Sequence, residues 1–147
     1  MISIVNILVL ISTFLFMEFV AWAVHKYIMH GFLWSLHKDH HVVNPKNVFQ
    51  KNDYFFLIFA IPSMILIFIG YENYSIELFI GYGIALYGLA YFLIHEIIIH
   101  RRLPPPAKTK SKYIKAIRKA HKIHHKNREK HNGINFGMLI VPMKYFK

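Results

Sequence analysis

Three long apolar segments dominate the pattern of hydrophobic and polar positions along the chain. The first, Ile2 to Val24, contains Glu18 as its only charged residue. The second runs from Tyr54 to Gly70, and the third, from Leu78 to Ile99, has one charged residue, Glu96. A helix of about 20 apolar residues crosses a hydrocarbon layer of roughly 30 Å. The pattern therefore predicts an all-α integral membrane helical bundle with spans at about residues 2–24, 54–70 and 78–99.

Glycine and proline modify these predicted helices. Pro62 lies inside the second span and is expected to kink it. Gly81 begins a glycine-containing string without the spacing of a phosphate loop, and we expect Gly81 and Ala85 to allow close helix packing. The run Pro104 to Pro106 is expected to end the third helix and to separate it from the tail.

Basic residues are concentrated at the C-terminal end. Of the 18 Lys and Arg residues, 14 lie between Arg101 and Lys147, where Glu129 is the only acid. The loop Tyr71 to Glu77 has two acids and no basic residue. Cytoplasmic loops of membrane proteins are enriched in Lys and Arg. The sequence therefore predicts that the loop Gly31 to Asp53 and the basic tail 101–147 face the cytoplasm.

Composition limits the chemistry that this chain can perform. Its 147 residues are 55% hydrophobic, yet the formal net charge is +11, so apolar and charged residues must be segregated. The absence of cysteine excludes disulfides, thiolate-ligated haem and iron-sulfur clusters, and cysteine-containing zinc fingers. Any metal must be held mainly by nitrogen or oxygen. The length favours one membrane-embedded domain over residues 1–147.

Histidine is unusually frequent, with 11 residues against seven Asp and Glu. Ten histidines form four blocks, in which the spacing HxxxxH followed by HxxHH occurs twice. Each HxxxxH block closes a predicted span at its cytoplasmic end, and each HxxHH block follows it, so all four can meet on one side of the membrane. His131 lies outside the blocks and is expected at the surface. The ten are His25, His30, His37, His40, His41, His95, His100, His121, His124 and His125.

Ten grouped histidines point to metal binding. A single histidine near a helix end is more often a hydrogen-bonded or interface residue, but that interpretation does not explain ten. Neutral imidazole binds iron, copper, zinc and nickel. Since an ordinary zinc site uses three or four protein ligands, two metal ions sharing about eight to ten ligands are the simplest interpretation.

Helical geometry supports chelation by the last block and leaves the HxxxxH blocks open. Around the helix predicted near residues 112–126, His121, His124 and His125 share one face, and a lysine stripe lies opposite. Residues i and i+5, such as His25 and His30, lie about 140° apart on a regular helix. Either the two members serve different metals, or the helix is distorted at its end.

Carboxylates near the blocks have two interpretations. Asp39 and Glu96 either accept a hydrogen bond from a ligand imidazole and orient it, or are solvated or paired with a nearby lysine. Asp53 is a more distant candidate. Glu18 lies inside the first span, where a charge is costly, so it should face protein or a ligand cavity.

Several motifs along the chain resemble those of a known protein family. The four histidine blocks resemble those of the membrane fatty acid hydroxylase and sterol desaturase superfamily. The uninterrupted stretch from Met17 to Gly31 is similar to the bacterial β-carotene hydroxylases within it. Further similar pieces are Asn52-Asp53, Tyr87-Gly88, Ala120 to His125 and Asn135-Phe136-Gly137. The resemblance covers nearly the whole chain.

The resemblance implies a non-haem diiron monooxygenase that hydroxylates carbon 3 of each β-ionone ring. β-Carotene would be converted through β-cryptoxanthin to zeaxanthin, with O2 as co-substrate and electrons from a ferredoxin-type donor. The ten block histidines would be the iron ligands. Relatives commonly have Asp where this chain has Glu96, and many have a longer tail after Phe136.

Other functions remain open from the sequence. Similar diiron chemistry could hydroxylate or desaturate fatty acyl chains or sterols. A non-enzymatic membrane metal transporter is a second class, although transporters usually place ligands near the bilayer midplane. The basic tail is expected to contact anionic lipid, to set topology or to dock an acidic redox partner, and no nucleic-acid partner is expected.

Overall fold

The computed structural model describes residues 2–42, 49–102 and 109–147. These residues form helices and connecting loops, and no strand occurs among them. Five α-helices follow in order: α1 (Ile4–Ala23), α2 (Trp34–His41), α3 (Phe55–Gly70), α4 (Ile76–Tyr91) and α5 (Lys112–Lys126). The all-α prediction is confirmed. The proposed helix stop at Pro104 to Pro106 lies outside the described residues.

Two π-helical segments extend the membrane helices. The first, Val24–Phe32, continues α1, and the second, Phe92–Ile99, continues α4. Short 3₁₀ helices precede α3 at Lys51–Tyr54 and close the chain at Met143–Phe146. Among the described residues, three helical stretches are long and apolar enough to cross a membrane, namely Ile4–Phe32, Lys51–Gly70 and Ile76–Ile99. Three spans were predicted, and these three helical stretches are the candidates for them.

Helix α4 packs against both α1 and α3. Glycines allow the backbones to approach closely. A Cβ atom at Gly83 would lie 2.6 Å from Cβ of Thr13 in α1, and one at Gly81 would lie 2.9 Å from the carbonyl oxygen of Ser63 in α3. The close packing predicted at Gly81 is therefore confirmed. The prediction for Ala85 is wrong, because Ala85 is exposed.

Helix α3, which belongs to the second candidate span, continues through Pro62. Its outer face exposes large apolar side chains, including Met64 at 68% and Phe68 at 84%. Large exposed apolar surfaces are unusual for soluble monomers and suit contact with lipid. The membrane assignment therefore agrees with both the length and the surface of this helix.

The amphipathic helix α5 lies against the second π-helical segment. The side chain of Ser111 accepts a hydrogen bond from the backbone N–H of Ile114 and caps the start of the helix. The buried face includes Ala116 and Ala120, which pack against Tyr145. The opposite face exposes the predicted lysine stripe, Lys112, Lys115, Lys119, Lys122 and Lys126. Helix α5 therefore turns its histidines toward the membrane helices.

Candidate metal centre

The two HxxxxH blocks lie in the two π-helical segments. In a π-helix the backbone N–H bonds to the carbonyl five residues earlier, as His100 does with His95 at 2.9 Å. This longer turn brings i and i+5 together: the ring centroids are 5.3 Å apart for His25 and His30, and 4.5 Å apart for His95 and His100. The helices are therefore distorted at both HxxxxH blocks, which is the second of the two interpretations of this spacing.

The chain changes direction at Gly31, so that the HxxHH block of α2 lies near the preceding HxxxxH block. Its backbone angles, φ −101° and ψ −125°, are not helical, and they break the path between the first π-helical segment and α2. Helix α2 then packs against that segment. As a result His37, His40 and His41, all buried, return to the level of His25.

The first histidine cluster has five members whose ligand atoms lie within 4.8 Å of one another. The Nε2 atoms of His37 and His41 are 3.1 Å apart, and that of His30 lies 3.3 Å from Nε2 of His124. Two nitrogens bound about 2.1 Å from one ion, at angles of 90–110°, are about 3.0–3.4 Å apart. These separations fit one metal ion. The members are His25, His30, His37, His41 and His124.

The second histidine cluster comprises four residues, His40, His95, His100 and His121, which again could hold one ion. The Nε2 atoms of His100 and His121 are 2.9 Å apart. Nε2 of His40 is buried and has no hydrogen-bond partner in the part of the chain that the structure describes. A buried lone pair of this kind is satisfied by a metal ion.

His125 lies between the two clusters. Its ring centroid is 4.6 Å from those of both His40 and His41, one from each cluster. Within residues 2–42, 49–102 and 109–147, its buried Nε2 atom also has no hydrogen-bond partner. The structure therefore brings all ten block histidines together, whereas His131 is exposed.

Oxygen acceptors fix the protonation of the first histidine cluster. A neutral imidazole has one N–H, and hydrogen bonding of Nδ1 to an oxygen places the proton there, leaving a lone pair on Nε2. Five lone pairs then face one another, and a bound cation would relieve their mutual repulsion. The Nδ1 atoms bond as follows: His25 to Phe136 O at 2.9 Å, His30 to Lys130 O at 3.1 Å, His37 to Asn52 Oδ1 at 2.6 Å, His41 to Asn127 O at 2.8 Å, and His124 to Ile134 O at 2.8 Å.

Burial keeps the imidazoles outside the spans neutral. Removal from water lowers the pKa of His37 and His124 to about 3, that of His41 and His100 to about 4, and that of His125 to about 2. Neighbouring histidines lower the pKa of His125 further, since two imidazolium ions would repel. Metal ions bind the neutral form, so the site is ready to coordinate metal at neutral pH.

The two carboxylates singled out in the sequence make different contacts. Glu96 lies 2.5 Å from Nδ1 of His95 and 2.8 Å from Nε of Arg102. Asp39 accepts a hydrogen bond from the backbone N–H of Lys51 at 2.6 Å. Arg102 also pairs with Asp53 at 2.8 Å. Glu96 thus contacts an imidazole directly, and Asp39 instead ties α2 to the next helix.

Two amide side chains were missed by sequence reasoning. Oδ1 of Asn52 accepts from His37, and Oε1 of Gln50 accepts from Nδ1 of His40 at 2.9 Å. Gln50 caps the short 3₁₀ helix in which Asn52 lies. A helix start of this kind is visible in a sequence, but its contact with a histidine ten or fifteen residues away is not.

A cavity of about 750 Å³ opens onto the histidines. Its inner wall includes His100, His121 and His125, together with His41. Its rim is strongly basic, which would attract an anionic partner. The basic rim consists of Lys115, Arg118, Lys119, Lys122 and Arg128.

Three candidate spans, two of which end in histidines of the two clusters, define a membrane-embedded protein with a candidate metal centre of imidazole ligands. The family described as Fatty acid hydroxylase matches residues 10–145. The chain belongs to this family of hydroxylases, and it is therefore an enzyme of that class.

Its curated relatives include β-carotene hydroxylases of bacteria and plants. The Pantoea ananas protein is 37% identical over 137 residues, which cover 93% of this chain and 78% of the relative. The Paracoccus sp. (strain N81106 / MBIC 01143) protein is 33% identical over 93% of this chain and 85% of its own length. β-Carotene 3-hydroxylase 2 of Arabidopsis thaliana, a chloroplastic protein, is 30% identical over a stretch that covers 86% of this chain and 42% of the relative. No solved structure matches the chain.

Proposed function

We propose that this chain is a non-haem diiron monooxygenase that hydroxylates carbon 3 of the β-ionone rings of β-carotene. The products are β-cryptoxanthin and then zeaxanthin. The observation that supports the metal-dependent chemistry best is the convergence of five Nε2 lone pairs in the first histidine cluster. The relatives named β-carotene hydroxylases support the substrate.

The ten block histidines are the proposed ligands of two iron ions, one ion in each cluster. Bound iron supplies the activation of O2 for attack on an unactivated C–H bond. Each hydroxylation takes up one O2, two electrons and two protons, inserts one oxygen atom into the C–H bond and releases one water. The protein holds the imidazoles neutral and excludes bulk water, because eight of the ten ligand side chains are buried.

The position of the clusters suits a substrate dissolved in the bilayer. Both π-helical segments continue membrane helices, so the histidines lie at the ends of α1 and α4. A carotenoid can reach that level from the lipid, whereas a water-soluble substrate would have to enter from outside the membrane. We place this end at the cytoplasmic face, because 14 basic residues follow the third span. Residues 1–147 act as one domain in this proposal.

The electron donor in this proposal is a ferredoxin-type protein. It docks on the basic rim, since an acidic protein surface complements five cationic side chains. The cavity behind the rim leads to His100 and His121, so electrons would enter close to the second histidine cluster.

Expression in cells that accumulate β-carotene tests the proposal. Pigment chromatography should show β-cryptoxanthin and zeaxanthin with the wild-type chain and unchanged β-carotene with His124→Ala. Lipids from the same cells are analysed in parallel. Unchanged pigment beside a membrane-inserted, iron-loaded protein would overturn the carotenoid assignment, and new hydroxylated or desaturated acyl chains or sterols would identify the alternative substrate.

A further inference from the structure

Glu18 lies within the first candidate span, and its carboxylate accepts four hydrogen bonds from other parts of the chain. Its Oε1 atom accepts from three consecutive backbone N–H groups, those of Met138 and Leu139 at 2.8 Å and of Ile140 at 3.0 Å. Its Oε2 atom accepts from the hydroxyl of Tyr87 in α4 at 2.7 Å. Both oxygens therefore serve as acceptors in these four bonds. Glu18 is only 7% exposed, so these bonds replace water.

These contacts hold the C-terminal loop, which we define as residues 127–142 between α5 and the last 3₁₀ helix. No residue of this loop is helical, so its backbone N–H groups need other partners. Consecutive N–H groups that converge on one anion form a strong binding arrangement. Gly137 permits the close approach, because a Cβ atom there would lie 3.2 Å from Oε1 of Glu18.

The same loop supplies most of the acceptors that orient the first histidine cluster. Carbonyl oxygens of Asn127, Lys130, Ile134 and Phe136 accept from His41, His30, His124 and His25, respectively. The ring of Phe136 also packs against three of these imidazoles, with centroids 5.1–5.4 Å away. Four of the five ligand tautomers in this cluster therefore depend on where the loop lies.

We propose that Glu18 is a positioning residue for the metal centre, acting through the C-terminal loop. His25 lies seven positions after Glu18, about 10 Å further along the helix. Glu18 anchors the loop at that depth in the bundle, and the preceding carbonyls are thereby held against the Nδ1 atoms. Loss of the anchor releases the carbonyls, so the imidazoles lose their fixed orientation and bind metal more weakly.

The test uses the full-length chain in detergent, loaded with Co²⁺ as the probe. Three variants are compared with the wild type: Glu18→Ala, Glu18→Gln and, as matched control, Glu77→Ala, which removes an exposed carboxylate from the start of α4. Release of Co²⁺ to a chelator should be about tenfold to 100-fold faster in Glu18→Ala. Glu18→Gln keeps one acceptor oxygen and should rescue part of this loss, and Glu77→Ala should match the wild type.

Amide hydrogen exchange followed by mass spectrometry gives a second readout, made on the metal-free protein. Exchange should rise across residues 134–140 in Glu18→Ala, while α1 and α4 keep their protection. The visible ligand-field bands of bound Co²⁺ should change as well, because the ligand orientation changes. Should Glu18→Ala fail to fold, the same comparisons are made with Glu18→Gln.

Metal release and exchange equal to those of the wild type in both Glu18 variants would overturn the inference. It rests on the metal centre of the proposed function but not on the carotenoid. A wild-type chain that hydroxylated an acyl chain would therefore leave it intact, whereas a wild-type chain that bound no Co²⁺ would overturn both the metal centre and the inference.

Discussion

Nε2 of His30 lies 3.3 Å from Nε2 of His124, although 94 residues separate the two in the chain. Each ring donates its Nδ1 proton to a carbonyl oxygen of the C-terminal loop. The facing atoms therefore both carry lone pairs, which repel each other unless a cation lies between them. A cation bound between the two atoms would remove this repulsion, so the contact between the first π-helical segment and α5 supports the candidate metal site.

Replacement of His124 by alanine should remove metal from the first histidine cluster. His124 is fully buried, with 0% exposure, and it is the only member of that cluster from α5. We expect the bound metal per polypeptide to fall by about half, measured by elemental analysis of the purified protein, and hydroxylation to be lost.

His131→Ala is the matched control, since His131 lies in the same C-terminal region but is exposed. It should bind metal and turn over like the wild type. Wild-type metal content in His124→Ala would remove His124 from the proposed ligands.

Asn52 should control metal affinity without binding metal. Its Oδ1 atom fixes the tautomer of His37, and loss of such a partner typically lowers metal affinity 10- to 100-fold. We expect Asn52→Leu to show a loss of this size in competition with a chelator. Asn52→Asp keeps an acceptor oxygen and should stay close to the wild type, and equal affinities for the Leu and Asp variants would contradict the assigned role.

Gly83 should be required for the packing of α4 against α1. A Cβ atom at this position would lie 2.8 Å from the carbonyl oxygen of Leu10. We expect Gly83→Ala to destabilise the bundle by about 1–3 kcal/mol, measured as a lower midpoint of thermal unfolding in detergent. Gly88→Ala is the control in the same helix, because nothing lies within 4 Å of the added methyl group. Similar midpoints for the two variants would show that the close approach is not needed.

The basic rim should determine the salt dependence of electron transfer. With a reduced ferredoxin-type donor, the wild-type rate should fall as ionic strength rises, because salt screens exposed charges. Lys119→Glu should slow turnover at low salt and flatten this dependence. Lys112→Glu makes the same charge change on α5 outside the cavity and should have a smaller effect. A wild-type rate that is independent of salt would argue against docking at this rim.

The membrane helices and the inward face of α5 were predictable because both follow from periodicity and length. The burial of Glu18 against protein was predictable for a similar reason, since a charge in a span needs partners. The apolar run predicted for the first span ends at Val24, and the helix continues through the histidine block His25 to His30, which was expected to close it. Hydropathy could not show that this segment is π-helical, because it measures composition and not hydrogen bonding.

The orientation of the imidazoles was beyond sequence reasoning. The spacing of His95 and His100 showed that a regular helix would separate them, but only the structure shows the longer turn. The acceptors of His30 and His124 are backbone carbonyls of an irregular loop, and any residue type can supply a carbonyl. Such partners leave no side-chain signature.

Both histidine clusters are completed by α5, and the first also needs the carbonyls of residues 127–136. These groups all follow the three candidate spans in the chain. The three spans therefore emerge from the ribosome before either site can be finished. Metal loading at either cluster would therefore have to follow the synthesis of all three spans, and a chain truncated before α5 would lack His121 and His124 and have no finished binding site.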